Sequence, residues 1–591
     1  MDAPSPVTAS RLGNGAGRHP ALPYAAVVVG VLLVYANALR ADFLGDDWPL
    51  LHHAGGDHFT AAVASFFTTP HRLNPVVAPV ETQVYRPMYY VYATLALRLW
   101  GARPWAWHAA NVVLHALVAC LVLVAMRRLF DLPPGAALLA ALLWAVHPVH
   151  VQPAANVAAV AYLLMGLFLL LAVLLASVWW PPGWPGPLRV LAALGAFALS
   201  VLHHELGLMA PALAALVLAA SPGAGWIWGH RPARSTVAAA VGMGVAAALY
   251  IVLRLTLVGA GQAGQLSETA RSLGLRLLQA PEVLLRYLGL LAVPVHLRLE
   301  RSQDVPLPAG LADPRALVAV VACVLLVWGV VHVARRVPAA GFGGAWFILA
   351  YLPTSNTLIP LYSLMGEQYM YIASVGVVGG AVAAARAAAR ATGVLRYAAL
   401  LGILLVAAYG ARSAFRVLDW HDEVTLLQAT VQASPRNAFY RSQLGHTHSR
   451  RGRLDFAERE FRAVIELTPS DPNAHLDLGN VLLGRGNLDE AESAFRQAIA
   501  VGPDSAEGYY GMAVLSHRRG DDRNETLWLE MASARPAARV ETALNMGLAY
   551  LQIDPRRAAL HLRRFLALAP GHPQVTEARA LLLALPSAAD R

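Results

Sequence analysis

Eleven apolar runs dominate the first 420 residues of this chain: 22–39, 105–126, 136–151, 157–179, 188–202, 206–220, 236–258, 315–334, 341–359, 369–386 and 395–415. Crossing a bilayer as a helix takes about 20 predominantly apolar residues, and several of these runs are shorter than that. Charge is depleted to match. Before Arg436 there are 26 Arg and 17 acids in 435 residues, whereas from Arg436 onward there are 20 Arg and 19 acids in 156. The second density, about one residue in four, is that of a soluble domain, and the first is less than half of it. With 57% hydrophobic residues overall, an ordinary cytosolic enzyme and a disordered chain are both excluded. The reading is an all-α protein: a polytopic helix bundle over 22–416, a cytoplasmic tail over 1–21, and a separate C-terminal domain over 420–585.

Charge also orients the bundle. All 46 cations are Arg, a composition that suggests a GC-rich bacterial genome. With the N-terminus in the cytoplasm and eleven alternating spans, the short inner segments collect Arg11, Arg18, Arg127, Arg128, Arg189, Arg231, Arg234, Arg335, Arg336, Arg386, Arg390 and Arg396. Asp2 and Asp131 are the acids on that side. This is the positive-inside pattern. It requires that 278–296, which contains Arg286 and Pro294, lies on the surface or re-enters rather than crossing. No small-residue cleavage site follows the first run, so an uncleaved signal anchor is expected. The first loop, 40–104, and the C-terminal domain then face outward. The two cysteines, Cys120 and Cys323, sit in apolar runs and leave no room for a CxxC metal site.

The C-terminal domain repeats every 34 residues. Gly445 and Gly479, Ala457 and Ala491, Phe461 and Phe495, and Pro469 and Pro503 all keep that spacing. Pro435 stands one period earlier, so a half-repeat begins just after the last run. Ala513 and Gly547 continue the register, and the last unit shifts by one residue to Pro570. This is the tetratricopeptide period, in which small residues mark the contact of paired helices and Pro ends the second helix. Stacked pairs form a concave surface suited to a peptide or protein.

The residues that carry chemistry cluster on the outer side. The first loop opens ADFLGDDWPLL. Asp46 and Asp47 lie among Phe43, Leu44, Trp48 and Leu50, which are expected to hold the loop against the bilayer surface. A carboxylate desolvated there gains basicity and suits deprotonation of a hydroxyl, while helix capping is the alternative role for such a pair. Arg86, in VYRPMYY, is placed to grip a phosphate, or to anchor the interface among Tyr85, Tyr89 and Tyr90. His108, Asn111 and His115 share one helix face inside the bundle. They read either as a site or as interhelical hydrogen bonding. His147 and His150, with Pro148 between them, make a poor metal site and count as substrate-site candidates. Glu205, between two short runs, needs a partner such as an outer arginine. Asn356 and Glu367 complete the outer set, Glu367 as a sugar-hydroxyl acceptor or a helix N-terminal acid.

These stretches, in this order and followed by 34-residue repeats, resemble the transmembrane and tetratricopeptide-repeat O-mannosyltransferase family and its bacterial relatives. That family falls in the GT-C class of polyprenyl-phosphate-sugar-dependent glycosyltransferases. The resemblance covers about 21–573 and rests on Phe43, Asp46 and Asp47; on Tyr85, Arg86 and Pro87; on His108, Asn111 and His115; and on the AxxHPVH segment from Ala145 to His150. The chain departs from the family pattern at Gln152, Val160, Tyr162, His204 and Gln368. Either the donor sugar differs from mannose or the catalytic part is degenerate.

The resemblance implies a GT-C-like bundle followed by a repeat solenoid in a bacterial inner membrane. Asp46 or Asp47 would serve as base. Arg86, with Arg286 or Arg298, would neutralise the polyprenyl phosphate that leaves. No resident cofactor or metal ligand set is expected: the lipid-linked sugar is a co-substrate, and a divalent metal is left open. Expected partners are that donor, membrane lipid, and an acceptor polypeptide or glycan held by the repeats; nucleic acid is not among them. The rival reading is a non-enzymatic membrane scaffold for envelope assembly, with the bundle as its anchor.

Overall fold

The computed structural model describes residues 21–585 apart from 46, 55–58, 69–70, 74–81, 178–183, 221–233, 259–271, 300–304, 306–307, 311, 358–363, 536–539, 552–553 and 570–573. It divides into two compact units, Met1–Leu426 and Leu427–Arg591. The all-α class holds. The described residues add only one short antiparallel hairpin, His71–Leu73 with Thr82–Val84.

In the first unit the described residues of the apolar runs are mainly helical. Among the described residues, eight helices are long and apolar enough to cross a membrane: Leu22–Arg40, Pro104–Arg128, Val157–Ala176, Gly186–His203, Arg234–Val258, Pro314–Ala334, Glu367–Ala391 and Leu395–Leu418. A ninth candidate, Pro134–Ala145 with Pro148–Ala155, is bent by 51°. Pro148 lacks the N–H that a continuous helix would need there. The runs at 206–220 and 341–359 appear as shorter helices, Glu205–Ala219 and Pro338–Tyr351. At 1.5 Å per residue these reach only about 22 Å, less than the hydrocarbon thickness. Leu273–Ala292 is one helix containing Pro281, and its charges keep it out of the apolar set.

Close backbone contact ties the centre of the bundle together. Helices Pro338–Tyr351 and Met370–Ala391 meet at Gly343, Gly376 and Gly380. A Cβ on Gly343 would collide with the Gly376 carbonyl, so neither position accepts a larger residue without separating the helices. At one end, the Asp42 amide donates to the His421 carbonyl at 2.9 Å. The start of the first loop and the exit of the last long helix therefore lie at the same end of the bundle.

The first loop packs inward. Phe43, Leu44 and Leu50 are buried, and Phe43 and Leu50 join a core with Phe66, Tyr89, Tyr90, Trp107 and Val160. The expectation that all four apolar neighbours rest on the bilayer is corrected: Trp48 alone of them faces outward, 59% exposed. The aromatic residues of helices Pro87–Trp100 and Pro104–Arg128 supply a closer apolar surface than lipid.

The second unit is a stack of antiparallel helix pairs: Ala438–Arg450 with Leu454–Leu467, Pro472–Arg485 with Leu488–Val501, Ala506–Arg518 with Asp522–Ser533, and Val540–Ala549 with Pro555–Leu568. Gly452, Gly486 and Gly520 take φ of +71°, +83° and +71° in the turns inside the first three pairs. That left-handed conformation costs glycine nothing and ends the first helix of each pair. These three are also 34 residues apart, a landmark the sequence reading passed over. Phe461 and Phe495 are buried against Gly445 and Gly479 as the register requires. Pro570 lies outside the described residues.

Candidate functional site

Asp47 opens helix Asp47–Ala54 and is 0% exposed. Its Oδ2 accepts the Leu44 amide at 2.8 Å, and its Oδ1 accepts the Ala158 amide at 2.7 Å. The Asn156 side chain accepts that same Ala158 amide, and Asn111 Nδ2 donates to the Asn156 carbonyl at 2.8 Å. His108 Nε2 lies 3.4 Å from the Asp42 carbonyl oxygen. Asp47, Asn111 and His108 are thus brought together, and they fasten the first loop to helix Pro104–Arg128 and to the segment at 156–158. Asp46 lies outside the described residues.

Arg86 comes next along the loop. Pro87 keeps its backbone out of the helical region and starts helix Pro87–Trp100 one residue later. The guanidinium forks onto Glu205, with Nε to Oε2 at 2.8 Å and Nη2 to Oε1 at 2.7 Å. The two side chains are 15% and 30% exposed, so the pair is reachable from outside the protein. Burial pulls the Arg86 pKa down, and the Glu205 carboxylate more than offsets this, leaving it above its ordinary value. Glu205 is held by a short turn that His204 caps: His204 Nδ1 accepts the Leu206 amide at 3.2 Å. Tyr162 lies against the His204 ring at 4.4 Å. The Tyr250 hydroxyl donates to the Tyr85 carbonyl at 3.3 Å.

Glu367 is buried and accepts the Arg298 amide at 2.6 Å. Asn356 has φ of +60°, and its carbonyl accepts from Arg276 at 2.9 Å. Arg286 is taken up within its own helix. It pairs with Glu282 one turn earlier on its own helix, at 2.6 Å, and is 43% exposed. The remaining histidines are interior struts. His115 bridges the Tyr371 hydroxyl at 2.8 Å and the Ala145 carbonyl at 2.9 Å. His147 bonds the Leu291 carbonyl at 2.9 Å. His150 lies 3.4 Å from the Ser374 hydroxyl and packs on Trp144. Among the described residues no group of three or more His, Cys, Asp or Glu is arranged to hold a metal ion.

Sequence reasoning passed over Asn156, Tyr250 and Arg254. A signal for Arg254 was present, since a cation inside an apolar run needs a reason to be there. Asn156 had no such signal, because its role depends on a loop that arrives 110 residues earlier in the chain.

The tetratricopeptide repeat model matches residues 442–506 and 476–538. The chain is 31% identical over 152 residues to Protein O-mannosyl-transferase TMTC1 of Mus musculus, a match covering 25% of this chain and 16% of the mouse protein. It is 24% identical over 449 residues to a Protein O-mannosyl-transferase of Caenorhabditis elegans, covering 74% of this chain and 62% of that one. Among solved structures, a thermophilic TPR protein in Thermus thermophilus aligns at 19% identity with a TM-score of 0.24, over 31% of this chain and 96% of that chain. The chain thus spans less than two thirds of the length of these O-mannosyltransferase relatives. The sequence relatives bear out the resemblance to transmembrane, repeat-containing O-mannosyltransferases.

Proposed function

We propose that this chain is an integral membrane glycosyltransferase. It moves a mannose-like hexose from a polyprenyl-phosphate donor to a hydroxyl of an extracytoplasmic acceptor, a polypeptide Ser or Thr in the first instance. The observation that carries the reading is the Arg86–Glu205 pair, a first-loop guanidinium held bidentate and partly open. A phosphate presents two oxygens in the same fork geometry as the carboxylate.

The acceptor hydroxyl oxygen attacks the anomeric carbon as the bond from that carbon to the phosphate oxygen breaks. The hydroxyl proton passes to a carboxylate, and polyprenyl phosphate leaves as an anion facing Arg86, with Arg298 as a second candidate cation. Both Asp47 oxygens are engaged by backbone amides, so Asp47 serves to position the loop. Asp46, its neighbour, is the proposed base. Cationic stabilisation of the leaving anion is worth most where water is scarce. The repeat unit presents the acceptor, and the membrane is a bacterial inner membrane with loop and repeats outward.

The test is transfer by purified full-length protein from polyprenyl-phosphate mannose to a Ser/Thr-rich peptide, read by mass spectrometry. A glycoproteomic comparison of a deletion strain with its parent accompanies it. Acceptors that lose hexose only in the deletion strain support the reading. If no glycan changes, and an Asp46→Asn, Asp47→Asn double variant restores the strain fully, the protein is a scaffold.

A further inference from the structure

Helix Arg234–Val258, one of the candidate spans, carries Arg254 one turn from its end. Arg254 follows Tyr250 by four residues, so the two share a helix face. Tyr250 is buried, its ring 6.2 Å from that of Tyr85, and its hydroxyl bonds the Tyr85 carbonyl. This face is therefore turned toward the loop residue that immediately precedes Arg86. Arg254 also acts electrostatically on His204, next to Glu205. Among the described residues it makes no hydrogen bond or ion pair.

His204 adds an independent mark. Its Nδ1 accepts the Leu206 amide, which puts the proton of the neutral ring on Nε2. Burial, with Arg86 beside it, pushes the imidazole down to about 3, so the ring is neutral. Its side chain is 4% exposed, and Nε2 has no hydrogen-bond partner. Among the described residues the cluster then holds two cations, Arg86 and Arg254, one anion, Glu205, and an unused donor. Counted over those residues it is one negative charge short of balance, in a place where an unbalanced charge is costly.

We infer that Arg254 and Arg86, with His204 Nε2, form the binding site for the donor's phosphate, and that Glu205 occupies the Arg86 fork until that phosphate arrives. This rests on the donor class proposed above and adds the residues that recognise it. Arg254 anchors the phosphate from the far side of the pair. Glu205 competes for Arg86, so the empty site is neutral at the fork and discriminates against weak anions.

The experiment measures binding of farnesyl phosphate, and of farnesol as its phosphate-free control, to the full-length protein in nanodiscs. The wild type binds the phosphate and not the alcohol. Arg254→Gln weakens phosphate binding about ten- to a hundred-fold, as loss of a charge-assisted contact requires. Arg254→Lys keeps part of it. Glu205→Gln, which removes the competing anion, tightens binding about ten-fold. That gain cannot come from damage to the fold. Unchanged affinity in Arg254→Gln, or weaker binding in Glu205→Gln, overturns the inference while leaving the donor class standing. Equal binding of phosphate and alcohol by the wild type overturns both.

Discussion

The proposed roles of the two adjacent acids can be told apart by experiment. Asp47 spends both oxygens on the Leu44 and Ala158 amides, and an amide in its place accepts through one oxygen only. Asp47→Asn is therefore expected to lower the melting temperature of the full-length protein as well as its activity. Asp46→Asn should leave melting unchanged and reduce transfer about 100- to 10,000-fold, the usual effect of losing a general base. Comparing melting curves with turnover for the two variants separates the roles. An Asp46 variant of full activity removes it as the base. Arg86→Ala has a third signature. It leaves the Glu205 carboxylate without its partner and weakens donor binding together with turnover, read as a rise in KM accompanied by a fall in kcat.

Among the repeat helices the decisive contacts are small residue against aromatic ring. A Cβ at Gly479 would lie 2.5 Å from Phe495 Cε1, and one at Gly511 would lie 2.6 Å from the same ring. Phe495 is thus gripped by its own pair and by the next. Gly479→Leu should cost about 1–3 kcal/mol by overpacking, seen as a lower denaturation midpoint of a 420–591 fragment. An unchanged midpoint would mean that the pairing is wrong. Ion pairs link successive repeats with the same 34-residue period: Arg485 meets Asp455 and Glu458, and Arg519 meets Asp489 and Glu492. Burial raises the Glu458 pKa, but Arg462 and Arg485 more than reverse this and hold it below its usual value. Burial lowers His448 and His561, helped by nearby arginines. Each shift makes the unfolded chain bind more protons than the folded one, so stability falls as pH falls. The histidines contribute this loss below about pH 6.5 and Glu458 below about pH 4.5. Denaturant midpoints of the fragment should decline steadily from pH 7 to pH 4, and a flat profile would contradict these assignments.

For the molecule as a whole, the bond from Asp42 to His421 bears on topology. The first loop and the exit of the last long helix share one end of the bundle, whatever path Leu273–Ala292 takes through or along the membrane. If the positive-inside pattern sets Arg127, Arg128 and Arg234 in the cytoplasm, reporter fusions after Arg416 and at Arg591 should read as periplasmic, and fusions near Arg128 or Arg234 as cytoplasmic. A cytoplasmic C-terminal reporter would place the repeats away from any exported acceptor and end the acceptor model.

Periodicity and charge were enough to tell a polytopic bundle from a repeat solenoid, because lipid excludes charge over long stretches and stacked helix pairs impose their spacing on every unit. They also marked the outer polar residues, since a polar side chain in an apolar run is conspicuous without any structure. Partnership was a different matter. That Arg86 grips Glu205 from 119 residues away, that Asp47 is spent on Ala158, and that Arg286 turns back to Glu282 all depend on how helices distant in sequence meet. The local pattern around Asp46 and Asp47 holds no trace of the segment at 156–158. Hydrogen bonds are satisfied by whichever donor packing brings within 3 Å, and packing in this bundle is decided by non-local contacts. Tertiary structure alone therefore turned a list of polar residues into a fork, a loop anchor and a set of interior struts.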